Sequence, residues 1–434
     1  MTRRRLAVVG SGISGLAVAH RLAGEAQVTL FEAGTHFGGH ANTVDLRLDG
    51  VRHGVDTGFL VFNHRTYPQL VRLFDELGVA TAPSKMSFSV QAGGLEWSGS
   101  DLNGVFAQRR NLVAPRFLGM LADILRFNRL ASGIAERGGE AELAEPLADF
   151  LARHRFGQSF RDGYLLPMLG CIWSCPTRQM LRFPVATMVR FCSNHGLLQI
   201  ADRPAWHTVR GGSRHYVAKM LERIADARLA TPVRALRRLP PGDGRAGVVL
   251  VTDRGSERFD DVVLACHSDQ SLALLDDATP AERELLGAIT YHPNEAVLHT
   301  DASMLPRRQR AWAAWNYERA PQPDAEHAGV CLHYLINRLQ PLPWTKPVIV
   351  SLNPVRQPDP AQVRGRFAYS HPVFDAAAVA AQQRLGQIQG HSHVWFCGAW
   401  TRYGFHEDGL MSALDVVQGL RERWAADGMA QQAA

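Results

Sequence analysis

Gly10, Gly12 and Gly15 fall in the pattern Gly-x-Gly-x-x-Gly, and Glu32 stands at the end of the next apolar run. These residue types at this spacing suit one task, the cradling of a dinucleotide. The first glycine permits a tight turn, the second lets backbone approach a pyrophosphate, and the third lets a helix pack closely on a strand. Ser11, Ile13 and Ser14 lie among them and would present backbone N–H groups at the positive end of that helix. Glu32, with Ala33 beside it, would accept hydrogen bonds from a ribose.

That chemistry needs three elements in order. Arg5 to Val9 must be a buried strand, Ser14 to Ala23 a helix, and Val28 to Phe31 a second strand. The run Arg3-Arg4-Arg5 before an apolar stretch also resembles the start of a secretory signal. Three glycines, His20 and Arg21 interrupt the stretch, and only the strand–turn–helix reading accounts for every glycine. No segment approaches the ~18 uninterrupted apolar residues of a membrane span. A cytoplasmic protein is expected, soluble or peripheral to the inner face of the membrane.

The 434 residues, 46% of them hydrophobic, suffice for two or three domains. The net charge of +6 rests on 47 basic residues, of which only Lys85, Lys219 and Lys346 are lysines. An arginine excess of this kind mildly favours an acidic substrate or an anionic surface and gives no reason to expect nucleic acid. The six cysteines show no pairing pattern. Cys171 and Cys175 lack the second Cys/His pair that would complete a zinc site, so free thiols and no metal are expected.

Beyond Glu32 the chain reads Gly38-Gly39-His40-Ala41-Asn42-Thr43, and a polar turn Asp56-Thr57-Gly58 closes a hairpin built from Val44 to Leu48 and Val51 to Val55. Here the sequence resembles the flavin-containing amine oxidase superfamily, which includes monoamine oxidases, protoporphyrinogen oxidase and phytoene desaturases. In that superfamily a Gly-Gly-Arg-x-x-Thr loop and an Asp-x-Gly turn both lie against FAD. His40 stands where the superfamily usually has arginine. The resemblance recurs at Gly211-Gly212 before a helix from Arg214 to Ile224, at the strand Pro232 to Leu236 with Val233 against the adenine, and at the strand Asp261 to Cys266. It ends in Val394 to Ala413, where Gly398-Ala399 and the helix opening at Gly409-Leu410-Met411 match the C-terminal flavin signature. The resemblance implies FAD, bound without a covalent link, since no cysteine falls in a matching attachment segment. NAD suits the first glycine motif equally well, but would leave Gly211 and Gly398 without a role.

The fold class implied is α/β, α+β overall, with a Rossmann-like FAD-binding domain interrupted by a substrate domain of β-sheet and helical cap. The FAD domain is expected at 1–100, 200–267 and 390–434, and the substrate domain at 101–199 and 268–389. Asp101 to Gly196 and Ser268 to Gly287 read as helical. Ala296 to His299, Ala311 to Tyr317, Val330 to Asn337 and Val348 to Leu352 alternate like strands between Pro-rich turns at 320–323, 341–343 and 354–360. Ala425 to Ala434 reads as a frayed tail. Leu112 to Leu130, apolar with Arg116, Arg126 and Arg129 along it, reads most plainly as a cap helix with a solvated face; the same pattern suits a helix lying on a membrane.

A flavin carries out the redox chemistry, so a protein acid or base is optional. The three lysines read as surface residues rather than as the water-holding lysine of many relatives. In amine oxidases aromatic rings flank the substrate just before the C-terminal helix, and by that resemblance His406 falls where one of them would stand, three residues before Gly409, where an imidazole of ordinary pKa could move a proton. Trp400, Tyr403 and Phe405 precede it, and Trp315, Tyr317 and His333 lie on the sheet strands; all six are candidate pocket residues. Such a pocket favours an apolar substrate. The expected activity is removal of hydride from an apolar molecule, a lipid acyl chain or an isoprenoid. Amine oxidation, flavin-dependent double-bond isomerisation without net redox change, and a non-catalytic flavoprotein are the alternatives.

Overall fold

The computed structural model describes residues 3–137, 145–174, 176–194, 196–199, 203–239, 246–319 and 330–433. Cys175 and the turn at 320–323 lie outside them. Arg5–Val9 is a strand buried from its second residue onward, the apolar run expected of a parallel strand covered on both faces. It pairs in parallel with Gln27–Phe31 on one side and Asp261–Leu264 on the other. Asp226–Arg228 and Val394–Phe396 complete a five-stranded parallel sheet. The central strand therefore sits at a switch point in strand order, where open α/β sheets form a ligand crevice beyond their carboxyl ends.

The helix Ile13–Leu22 follows the first strand, and a second helix, His406–Ala433, packs along it. The C-terminal helix begins one turn before Gly409 and continues to Ala433, so the frayed tail expected of Ala425 to Ala434 is instead helical over 425–433, and Ala434 lies outside the described residues. Trp424 Nε1 donates to Asp261 at 2.8 Å, and Arg4 pairs with Asp427 at 2.9 Å, which ties this stretch to the parallel sheet.

A seven-stranded sheet lies beside the first. Its order is Val363–Pro372, Tyr291–His299, Ile349–Leu352, Cys331–Leu335, Trp315–Glu318, Phe88–Ala92 and Leu95–Ser98. Its register pairs Trp315 with Tyr334, Tyr334 with Val350, and Leu332 with Leu352. One face thus carries Trp315, Tyr317, Leu332, Tyr334, Val350 and Leu352, and the other Asn316, His333 and Ser351. The helices Pro115–Arg137, Leu147–Arg153, Leu166–Trp173 and Val185–Asn194 share a hydrophobic core with the first of those faces. The region expected as one helix from Ser268 to Gly287 is two, Ser268–Leu274 and Pro280–Gly287, because Thr279 and Glu282 form a capping box around Pro280.

Candidate active site

A cavity of about 1120 Å³ runs from the glycine loop, past the C-terminal helix, to the floor sheet. That exceeds what a drug-sized ligand needs, roughly 300–1,000 Å³. Gly10, Ser11, Gly12, Ile13, Ser14, Glu32, Ala33, Gly38, Gly39 and His40 line one end, as the glycine motif requires. Thr57, Gly58, Val233, Gly398 and Ala399 line it as well.

Gly12 caps the helix without a side-chain partner, so the first-turn N–H groups stay free for an anion. A Cβ at Gly12 would meet nothing within 4 Å, whereas a Cβ at Gly15 would fall 1.8 Å from the Gly10 carbonyl oxygen. Gly12 therefore leaves room for a ligand, and Gly15 serves helix–strand packing. The Glu32 carboxylate accepts from the Ser11 N–H at 3.0 Å, the Ser11 hydroxyl, and the Gly34 N–H at 2.7 Å. A carboxylate offers about four acceptor sites, so one remains for a ribose hydroxyl. This donor set and this clearance fit a dinucleotide. Glu32→Ala should raise the dissociation constant for FAD roughly 10- to 100-fold, the weight of a hydrogen bond to a charged group. Titration of apo-protein measures it, and an unchanged constant would put the ribose elsewhere.

Several residues expected at the cofactor lie behind the cavity wall. Asp56 is 1% exposed and accepts from the Thr43 hydroxyl, from the Ser213 N–H and hydroxyl, and from Gln340 Nε2 at 2.7 Å. Burial pushes its carboxyl up to about 6 against those four donors. Thr43 and Asp56 thus form an internal hub, and Gly211 sits in the adjoining turn. Gly409, Leu410 and Met411 also miss the cavity, because the helix starts at His406 and Gly409 is pressed against Ser14 and Ile13. The Ser14 hydroxyl donates to the Gly409 carbonyl at 2.9 Å.

His406 lines the cavity, but its expected titration near neutrality is overturned. Burial lowers it to about 3, so the imidazole stays neutral at physiological pH. Its ring stacks on Phe59 with centroids 3.8 Å apart, and Nε2 meets the Tyr216 hydroxyl at 3.0 Å. These are the contacts of a packing residue. His406→Ala should lower thermal stability and leave flavin reduction per bound flavin within about threefold, well short of the 10²–10⁴ that removal of a general acid or base costs. Stopped-flow reduction normalised to flavin content decides.

Two further histidines stand at the cofactor end. Burial lowers His40 well below its ordinary value and His371 to about 4, each helped by neighbouring histidines. His40 stacks on Tyr369 at 4.9 Å. Where the superfamily has a fixed cation, this protein has a neutral ring, and a pyrophosphate here would rest on backbone N–H groups and the helix end.

The other end of the cavity is apolar. Trp400, Tyr403, Phe405 and Trp315 line it as expected, with Phe405 stacked on Phe191 at 4.8 Å. Tyr317 and His333 do not. Tyr317 shares the face of Trp315 but is 3% exposed under the helical cap. His333 points to the opposite face, where it meets Glu318 at 2.9 Å, Ser351 at 2.6 Å and Cys331 at 3.5 Å. Burial opposes its charge, but Cys331 and Glu318 raise it to about 9. Glu318, Cys331 and His333 could in shape hold a metal ion, but the Glu318 carboxylate already serves His333 and, at 3.2 Å, Arg356.

Sequence reasoning missed Tyr369 and His371, which reach the cavity from the ten-residue strand Val363–Pro372. Their signal was the alternation Phe367, Tyr369, His371 just beyond the Pro-rich segment. Missed too were Met86, Phe88, Met168, Trp173 and Phe191, scattered over strands and cap helices with no motif. Lys85 and Arg203 are exposed residues at the cavity wall, and Glu32 is the one carboxylate among the described lining residues.

A protein of Exiguobacterium sp. 255-15 classed provisionally as a protoporphyrinogen oxidase shares the fold at a TM-score of 0.68 and 18% identity, over 98% of this chain and 100% of that one. A fatty acid isomerase from P. acnes that produces CLA aligns at 0.65 and 15%, over 96% and 98%. Cyclohexylamine oxidase from Brevibacterium oxydans IH-35A aligns at 0.64 and 15%, over 96% and 100%. No curated protein matches by sequence. The family model for flavin containing amine oxidoreductases matches residues 13–306, about two thirds of the chain, and the protein belongs to that family.

Proposed function

We propose that this flavin-dependent oxidoreductase removes hydride from an apolar chain, a lipid acyl group or an isoprenoid, with FAD held non-covalently. The observation that carries the reading is the wall of the substrate end. It is built from Trp, Phe, Tyr, Met and aliphatic side chains, and among the described lining residues no carboxylate stands there to hold a substrate ammonium. An amine kept charged in such a pocket would bear an uncompensated desolvation cost. Lys85 and Arg203 suit the anionic end of a chain instead. The lining thiols support non-covalent binding. Burial pushes Cys266 up to about 11 and Cys171 well above its ordinary value, so neither is a ready nucleophile.

FAD held by the glycine loop and Glu32 would supply the two-electron acceptor, the hydride and the proton lost on desaturation both being taken up as FADH₂, which O₂ or another acceptor would re-oxidise. The protein's part is to exclude water, through Phe59, His406, Phe405 and Trp400, and to lie the chain along the floor sheet between Trp315 and Tyr334. Incubating the flavin-loaded protein with a total lipid extract in air, then weighing the products by mass spectrometry, tests this. A lipid lighter by two hydrogens supports it. Aldehyde and ammonia from an added amine, with no lipid changed, would overturn it. A product of unchanged mass with a shifted double bond would favour isomerisation, the second reading, which the fold shared with a fatty acid isomerase brings into view.

A further inference from the structure

We propose that the face built by residues 102–129 docks the protein on an anionic lipid bilayer. Nine large apolar side chains are exposed in the described structure, and five of them crowd into this stretch: Leu102, Leu112, Val113, Leu118 and Leu125. Val113 is 81% exposed. The helix Pro115–Arg137 is apolar on two sides. Phe117, Met120, Phe127 and Ala131 are buried in the cap core, while Leu118, Ala122 and Leu125 form an outward stripe at helical spacing that ends on Arg129.

Basic charge predominates around that stripe. Arg109, Arg110, Arg116 and Arg129 are exposed, and none forms an ion pair with a described carboxylate. Arg109 and Arg110 spend hydrogen bonds on Asn103 and on carbonyl oxygens, which leaves their charge uncompensated. Two acids, Asp101 and Asp123, stand among them. Asp123 pairs with Arg126 at 2.9 Å and accepts from the Gly157 N–H, and Asp101 caps the turn at Gly104. Isolated protruding leucines ringed by arginine suit the boundary of acyl chains and anionic headgroups. A symmetric contact with a second copy would set these arginines against their own images. No helix among the described residues is long and apolar enough to cross a membrane, so the contact is peripheral. It stands whether or not the substrate is a lipid.

Sedimentation of the flavin-loaded protein with vesicles tests this. The protein should pellet with equal parts phosphatidylglycerol and phosphatidylcholine roughly tenfold more than with phosphatidylcholine alone, and added salt should release it. The variant V113E/L118E/L125E should lose at least that tenfold while keeping its flavin. R109Q/R110Q/R116Q/R129Q, which leaves the leucines in place, should lose the preference for the anionic vesicles. V355E, an exposed apolar position elsewhere, should bind as the unaltered protein does. Unaltered protein that stays in the supernatant, or an R109Q/R110Q/R116Q/R129Q variant that pellets equally well, would overturn the proposal. So would a dimer, without vesicle binding, that V113E/L118E/L125E converts to monomer.

Discussion

Gly12→Val should give a folded protein that carries no flavin. A Cβ at this position meets no protein atom within 4 Å, so valine costs the apo-fold little. The same open space is where a pyrophosphate must approach the backbone, and a branched side chain would fill it. Gly15→Val should behave oppositely. Its Cβ would lie 1.8 Å from the Gly10 carbonyl oxygen and 3.2 Å from Ala265, so the first helix cannot stay seated on its strand. The pair separates ligand clearance from packing. Circular dichroism with flavin content reads both, and a Gly12→Val protein with a full complement of flavin would mean that the glycine motif has been misread.

Asp56→Ala should be among the most damaging side-chain changes. It leaves the Ser213 N–H and Gln340 Nε2 without an acceptor and takes one from the Thr43 and Ser213 hydroxyls, which lie 3.2 Å apart and can still bond each other. Buried donors left unpaired cost about 1–3 kcal/mol each, so with roughly three left stranded a loss of at least about 3 kcal/mol is expected. That is a large part of a total stability of roughly 5–15 kcal/mol. Asp56 also predicts a pH effect with a definite sign. Burial raises its folded pKa to about 6 from 3.8. Its contribution is therefore fully present below pH 3.8 and declines as pH rises through about 6. The decline is on the order of 3 kcal/mol. Asp56→Asn cannot titrate, so the stability gap between wild type and this variant should narrow over that interval. A constant gap would contradict the raised pKa.

Where backbone geometry dictates residue type, the sequence was informative. Gly10, Gly12 and Glu32 could be placed because a tight turn, a close approach and a ribose acceptor each demand one kind of residue. Thr43, Asp56 and Gly211 belong to the same neighbourhood, but which polar groups turn inward to one another is settled by packing, and these form a hub behind the wall. Alternation sorted the floor strands into faces without revealing which face would line the cavity, hence the misplacement of His333, or how far along that face the cap core would reach, hence that of Tyr317. The state of His406 was illegible for a different reason: its pKa of about 3 comes from burial by distant segments such as Phe59 and Tyr216. The C-terminal residues past Ala425 looked like a tail because their support, Arg4, lies at the other end of the chain.

The most direct test of the functional reading is anaerobic mixing of the flavin-loaded protein with long-chain acyl lipids, isoprenoids and amines in turn, following the flavin absorbance. An apolar, carboxylate-free substrate end predicts bleaching by a lipid or isoprenoid chain and none by primary or secondary amines. Bleaching by an amine, with every apolar chain inert, would contradict it.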